Sequence, residues 1–206
     1  MDSGHQNGRS AGDTEDGALA QRARRGDRAA LADLFVRHHV RVHRSAYLVT
    51  RSPEAADDIV QLVFLELFTA LGTFDPRRPF VPWLYRIVHN VSMDFMKRER
   101  YRQPTIPLAD TAPGPMGEIG RADLRADVRP ALDALSDEHR EALVLRYYVG
   151  LSERAMADVL GVRPGTVKSR LHRALLALGE ALGPGEVPTI NGASGPPARD
   201  GGGSHG

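Results

Sequence analysis

Apolar residues recur with the period of an α-helix through the first half of the chain. Between residues 28 and 49, the apolar positions that recur at close to this period are Leu31, Leu34, Phe35, Val42, Ala46 and Val49. A second helix is predicted from Pro53 to about Leu71. Ser52 can cap it, proline suits its first position, and Gly72 ends it.

The rest of the chain also favours helices. A third helix is predicted from about Val81 to Arg100, after a loop that contains several prolines. Further helices are predicted near residues 124–134, 137–148, 152–160 and 163–182. No segment alternates as a strand would. We therefore expect an all-α fold of two small helical domains.

Segments rich in Gly and Pro divide the chain into five parts. Such segments bury too little apolar surface to offset the entropy of ordering them. The predicted parts are a disordered N-terminus (1–17), a first domain (18–101), a flexible linker (102–123), a second domain (124–182) and a disordered tail (183–206).

Charge and composition narrow the possible functions. The net charge is only +1, but basic residues concentrate in the first domain and between Arg163 and Arg173, a stretch without acidic residues. Such stretches suit an anionic polymer, and a solvated helix face is the alternative. The chain has no cysteine, no secretory signal and no apolar run of about 18 residues, so we expect a cytoplasmic protein without membrane insertion.

Residues 151–178 have the pattern of a helix-turn-helix. Ser152 can cap a short helix, and Gly161 permits the left-handed turn that ends it. Pro164 then suits the first turn of a second helix. Two helices joined by a short turn with glycine make this motif.

The second helix of this motif has one apolar stripe and one small, cationic side. Val167, Leu171, Ala174 and Leu178 form the stripe, so the other side faces outward and suits the major groove of DNA. A plain amphipathic hairpin is the alternative. The candidate DNA-binding residues are Arg163, Thr166, Lys168, Ser169, Arg170, His172 and Arg173.

The helix that begins near Trp83 carries a second candidate site. Its buried stripe is predicted to be Leu84, Ile87, Val88, Val91 and Phe95. Cations beside an aromatic ring and an amide can hold an unpaired strand, because charge neutralises phosphate and the ring stacks on a base. A core tryptophan on a solvated helix is the alternative. The candidates are Trp83, Arg86, Asn90, Lys97 and Arg98.

The segment from Asp57 to Leu71 is apolar nearly all round. One side holds Val60, Val63, Phe64, Leu67 and Leu71, and other sides hold Leu62, Leu65 and Phe68. A helix of this kind is either central in a core or covered by a partner. In a domain this small, we expect part of it to meet a partner.

The sequence contains little that indicates an enzyme. His38, His39 and His43 include an i, i+4 pair that could ligate a metal, but no acidic residue stands at a metalloprotease spacing. We interpret them as surface or partly packed histidines. Phosphate-binding glycine loops and nucleophile elbows are absent, so we expect no cofactor, no metal and no catalysis.

With these motifs, the sequence resembles a known family, the extracytoplasmic-function (ECF) sigma factors of bacterial RNA polymerase. The motifs WLYRIVHN and GTVKSRLHRA carry the resemblance most specifically. The similar blocks are 34–48, 56–68, 73–100 and 135–174, which follow the order of sigma regions two and four.

The resemblance implies a role for each block. The helix with Asp58, Gln61, Leu62 and Leu65 is similar to the one that docks on the β′ clamp of core RNA polymerase, although Leu62 stands where the family usually has an acidic residue. The helix with Arg86 and Asn90, and the loop before it, resemble the element that opens the −10 region of promoter DNA. The helix-turn-helix resembles the module that reads the −35 element and lies near the β flap.

Such factors usually have an anti-sigma protein that masks both domains, so a partner of this kind is implied.

Two rival interpretations of the sequence remain. A response-regulator activator also carries a helix with a GTVK-like start, but it would need an α/β receiver domain upstream. A helical adaptor or a metal-binding enzyme built on the histidines is the other.

Overall fold

The computed structural model describes residues 11–102 and 128–183, and every regular element within them is helical. The first domain holds α1 (Ala11–Arg24), α2 (Arg28–Thr50), α3 (Pro53–Ala70), a 3₁₀ turn (Leu71–Thr73) and α4 (Phe80–Arg102). The second holds α5 (Val128–Asp133), α6 (Asp137–Leu143) with a π-helical turn (Val144–Tyr148), α7 (Glu153–Leu160) and α8 (Pro164–Leu182). The predicted all-α fold of two small domains is confirmed. No helix among the described residues is long and apolar enough to cross a bilayer.

Side-chain caps determine where the helices of the first domain begin. The Ser52 hydroxyl accepts a hydrogen bond from Ala55 N at 3.1 Å, and Pro53 occupies the first helical position, as predicted. Asp27 caps α2 in the same way, accepting from Ala30 N at 3.1 Å. These caps pair amide groups that would otherwise lack partners at the helix ends.

Two predicted boundaries were wrong. The sequence predicts disorder for 1–17, but α1 begins at Ala11 because Asp16 and Leu19 are buried against the rest of the domain. Such tertiary packing stabilises a helix whose own sequence is a weak helix former. The chain also leaves α3 at Ala70, so Gly72 lies within the 3₁₀ turn and does not end the helix. Nearly all of the predicted linker and tail lies outside the described residues.

α2, α3 and α4 enclose the core of the first domain. Leu34, Ile59 and Phe80 are fully buried there. The predicted stripe of α4 is confirmed for its four aliphatic residues, which are buried, and Phe95 is partly buried. Packing of this stripe leaves the opposite side of α4 facing outward.

The predicted helix-turn-helix is present in the second domain. The Ser152 hydroxyl accepts from Ala155 N at 3.2 Å, and Gly161 has a φ of 65°, the left-handed conformation that ends α7. Pro164 begins α8, and its stripe packs on α7 and α6.

The two domains pack against each other, and several polar contacts join them. The Arg140 side chain is only 1% exposed and donates to the carbonyl of Val49 in α2 at 2.7 Å. His89 of α4 lies 2.6 Å from Glu141 of α6. Hence α2 and α4 form one wall of the interface, and α6, the π-helical turn and α7 form the other.

Candidate nucleic-acid interface

α8 presents a basic face to solvent because its apolar stripe is buried. Val167, Leu171, Ala174 and Leu178 are all buried, as predicted. No acidic residue occurs from position 163 to 173, so this face attracts phosphate groups. Six of the seven candidates on it are exposed: Arg163, Thr166, Lys168, Ser169, His172 and Arg173.

Hydrogen bonds along α8 order part of this face. Ser169 Oγ donates to the Thr166 carbonyl at 3.0 Å, and Arg173 Nε donates to the Ser169 carbonyl at 3.3 Å. The second bond holds the Arg173 stem along the helix while its guanidinium stays exposed. A guanidinium held in this way loses little entropy when it binds a phosphate or a guanine edge.

The structure separates the seventh candidate, Arg170, from the other six. Its side chain is 15% exposed and lies 3.1 Å from the Glu138 carboxylate of α6. Position 170 borders the buried stripe, so the arginine reaches back to its own domain. Arg170 therefore stabilises the packing of α8 on α6 and contributes less to the exposed face.

α4 brings together four of the five candidates on it. Arg86, Asn90 and Lys97 are exposed and share one side of the helix, because they are four and seven residues apart. Trp83 is half-buried at the start of α4, with its ring centre 5.1 Å from that of Phe74. The tryptophan is thus both a packed residue and a neighbour of Arg86 on the next turn.

Arg98 lies on a different side of α4. It is about 120° around the helix axis from Arg86, at 100° per residue. It lines a groove of about 360 Å³ between α3 and α4, which Leu62, Leu65 and Phe95 also line. This position places Arg98 with the predicted polymerase-docking residues instead of the DNA candidates.

The loop before α4 adds two cations that sequence reasoning missed. Arg77 and Arg78 are exposed, and the Asp75 carboxylate accepts from Arg77 N at 3.0 Å and from its Nε at 3.2 Å. The backbone hydrogen bond from Arg77 lowers the pKa of Asp75, so this carboxylate stays ionised and holds the turn. Two adjacent arginines between Pro76 and Pro79 were the signal available in the sequence.

A patch of large apolar side chains lies exposed on α2 and α3. Phe35 of α2 packs edge-on against Phe64 of α3, with ring centres 4.7 Å apart, which joins the two helices. We call this surface the docking patch, and its residues are Phe35, Val36, Leu62, Leu65 and Phe68, between 41% and 67% exposed. The predicted polar docking residues Asp58 and Gln61 are exposed on α3 as well.

The histidines do not converge on one site. His38 and His43 are buried, so their interpretation as surface or partly packed residues was wrong. His38 Nε2 lies 2.9 Å from the Asp16 carboxylate, and His43 Nε2 lies 3.1 Å from that of Asp57 without hydrogen-bond geometry. Within the described ranges, no group of three acidic, histidine or cysteine side chains could hold a metal ion.

Two family models match the chain. Sigma-70 region 2 matches residues 34–102, which hold α2 from its second turn, α3 and α4. Sigma-70 region 4 matches residues 125–178, which hold the helix-turn-helix. Both candidate DNA surfaces and the docking patch therefore lie within these matched segments.

Individual proteins match over most of the chain. RNA polymerase sigma factor CarQ of Myxococcus xanthus is 33% identical over 79% of this chain and 95% of its own length. The ECF sigma factor SigM of Mycobacterium tuberculosis is 39% identical over 77% of this chain and 80% of its own length. A similar solved structure is the sigma factor RpoE of Bartonella quintana in complex with the anti-sigma factor NepR, with 27% identity, a TM-score of 0.62, and coverage of 73% and 95%.

Proposed function

Because this chain belongs to the ECF subfamily of sigma-70 RNA polymerase sigma factors, we propose that its two domains divide promoter recognition between duplex and unpaired DNA. As a sigma factor it directs polymerase to promoters and takes part in initiation. The family is not a class of enzymes, and we propose that this chain contributes binding energy without a chemical step of its own. Its place of action would be the cytoplasm, together with the polymerase.

The exposed, acid-free face of α8 is the observation that carries this proposal. We propose that this face of α8 binds the −35 element as duplex DNA, with the helix in the major groove. Lys168 and Arg173 would contact phosphates or guanine edges, and the small Ser169 would let the helix approach closely. Arg170 is a weaker candidate, because it already pairs with Glu138.

The outward side of α4 would hold the unpaired strand of the −10 element. Asn90 can read a base edge, Arg86 can neutralise a phosphate, and the half-buried Trp83 can offer the exposed part of its ring for stacking. Arg77 and Arg78 of the preceding loop would add positive charge near the start of α4, where the strand would bind. Capture of a base would offset unstacking, which costs a few kcal/mol.

The docking patch would bind the β′ clamp of core polymerase. Its leucines and phenylalanines are exposed on α2 and α3, and apolar patches of this kind mark protein contacts. Leu62 supplies apolar area where the family usually has an acid, so docking here would depend more on Asp58 and Gln61 for its polar contacts. The second domain would lie near the β flap.

A protein partner that masks these surfaces is also expected. The RpoE structure is a complex with an anti-sigma factor. We propose that this chain has an anti-sigma partner of its own, which would compete with polymerase for the docking patch. The alternative function, a response-regulator activator, is not favoured, because the described residues contain no strand from which a receiver domain could be built.

The test compares Asn90→Ala and Arg173→Ala in holoenzyme, on a promoter found by mapping start sites transcribed in vitro. Asn90→Ala should lower open-complex formation about tenfold, measured by permanganate reactivity, and keep the −35 footprint. Arg173→Ala should weaken the −35 footprint. Arg24→Ala, which removes an exposed charge at the end of α1, is the control. Equal losses of opening and −35 binding in Asn90→Ala, or unchanged protection in Arg173→Ala, would contradict the assignment.

A further inference from the structure

The first turn of α4 receives its cap from another helix. Pro79 stands just before α4, and its side chain has no oxygen that could accept a hydrogen bond. Instead, Asp13 Oδ1 of α1 accepts from Phe80 N at 2.8 Å and from Val81 N at 3.1 Å. One carboxylate, 67 residues away in sequence, thus pairs two amides at the start of α4 and places negative charge at its positive end.

α1 is itself anchored on α2, so this cap comes from a fixed position. The Asp16 carboxylate is buried and lies 2.9 Å from His38 Nε2. Arg37 donates to the exposed Glu15 at 2.9 Å. Arg37 Nη1 also donates to Asp16, at 3.4 Å. Hence α1 connects α2 to the beginning of α4.

The turn that Asp13 caps also carries an aromatic cluster. Phe80 is fully buried, and its ring centre lies 5.6 Å from those of both Phe74 and Trp83. Any shift of the first turn of α4 therefore moves Trp83, and with it the start of the face that carries Arg86.

We propose that Asp13 is a positioning residue for capture of the unpaired −10 strand. By supplying the cap that Pro79 cannot, it fixes the first turn of α4 and the Trp83 ring before DNA arrives. The inference rests on the role proposed above for α4. It extends the functional part of the chain to α1, which precedes the segment matched by Sigma-70 region 2.

The experiment uses full-length chain with core polymerase and compares Asp13→Ala, Asp13→Asn and Glu15→Ala. Asp13→Ala should lower promoter opening and the binding of a single-stranded −10 oligonucleotide about fivefold, the size expected for loss of one N-cap. Binding of −35 duplex and of core polymerase should stay within twofold. Asp13→Asn keeps the accepting oxygen and should retain most activity. Glu15→Ala is the matched control and should leave promoter opening unchanged. It removes an acidic side chain from the same helix, but this side chain pairs with Arg37 of α2.

A cap supplied locally tests the geometry itself. Pro79→Asp places a carboxylate at the N-cap position, so it should restore opening in the Asp13→Ala background. Failure of both Pro79→Asp and Asp13→Asn to rescue would overturn the inference. Equal losses of opening, −35 binding and core binding in Asp13→Ala would do the same, since they indicate general unfolding.

Asn90→Ala, measured in parallel, separates this inference from the proposed function. If Asn90→Ala impairs opening and Asp13→Ala does not, the positioning role is wrong and the role of α4 stands. If neither impairs opening, the role of α4 fails and the inference fails with it.

Discussion

At His38, burial and the neighbouring Asp16 carboxylate shift the pKa of the imidazole in opposite directions. Burial lowers the pKa of this imidazole because the charged form is poorly solvated, and the Asp16 carboxylate only partly offsets that effect. The positive charges of Arg41 and Arg37 lower the pKa further. We therefore expect His38 to be neutral near pH 7, with its ring bonded to Asp16.

A pH dependence of stability follows from that lowered pKa. Folded His38 takes up a proton less readily than the unfolded chain, whose ordinary pKa is 6.5. The free energy of unfolding should thus have its full value above pH 6.5. It should fall as the pH drops below 6.5, by up to about 1 kcal/mol at pH 5.5. Urea unfolding at pH 7.5 and 5.5 measures this loss.

His38→Gln should remove this part of the pH dependence, whatever its effect on stability at pH 7.5. His39→Gln, one residue along on a partly exposed side of α2, should keep the wild-type pH dependence. If His38→Gln lost stability between the two pH values as the wild type does, another group would be responsible.

The burial or exposure of a residue could be predicted where it depends on spacing within one helix. The buried stripe and exposed face of α8 follow from a 3.6-residue period, so the sequence predicted them correctly. The pairing of Arg170 with Glu138 and the capping of α4 by Asp13 join residues far apart in the chain. No pattern within one helix indicates such contacts, so both could be found only from the fold.

At the scale of the element, α3 shows what an apolar pattern can and cannot predict. Its sequence predicted that part of the helix meets a partner, because apolar residues occur on nearly every side. The structure shows which part is left uncovered, since Val63 and Leu67 are buried while Leu65 and Phe68 are exposed. Which side faces the core depends on how α3 packs between α2 and α4.

A charge placed in the docking patch should therefore impair polymerase binding and not folding. Leu65→Glu removes a 67%-exposed leucine that contributes about 1.5–3 kcal/mol if a partner buries it, which corresponds to roughly a tenfold to hundredfold loss of affinity. Unfolding free energy should change by about 0.5 kcal/mol or less, as for surface positions. Fluorescence anisotropy with core polymerase and urea unfolding measure the two quantities.

Ala29→Glu is the control for Leu65→Glu. It adds the same charge to the same domain at an exposed position in the first turn of α2, where a carboxylate is favourable. Its affinity for core polymerase should equal that of the wild type. A Leu65→Glu variant with unchanged affinity would exclude this face as the docking site.

The π-helical turn at Val144–Tyr148 is an element that the sequence did not predict, because residues 137–148 read as one regular helix. Arg41 of α2 donates to the carbonyls of Tyr148 and Val149 at the end of this turn. The wider turn thus coincides with a contact between domains, and such turns occur mostly where function or packing demands them.

At the scale of the whole molecule, the contacts between domains differ in their expected strength. Arg100 and Asp137 form an exposed ion pair across the interface, and such pairs contribute about 0–1 kcal/mol. Arg140 is enclosed and donates to carbonyls of both domains. Burial lowers the pKa of its guanidinium, but an arginine remains charged, so its hydrogen bonds must replace the lost solvent. The sequence could not predict this interface, because its polar contacts join residues between 37 and 108 positions apart.

Replacing Arg140 should consequently separate the domains in the chain without polymerase. Arg140→Met keeps most of the volume but removes the side-chain donor from the buried carbonyls of Val49 and Leu135, at about 1–3 kcal/mol each, while the Leu132 carbonyl still accepts from Leu135 N. Because the chain has no cysteine, Arg24→Cys and Glu180→Cys allow two dyes to report the distance between domains by energy transfer. Arg140→Met should lengthen that distance at unchanged helical content, and Arg100→Ala should not. An unchanged distance in Arg140→Met would mean that this arginine does not hold the closed arrangement, and that apolar packing of α7 on α4 does so instead.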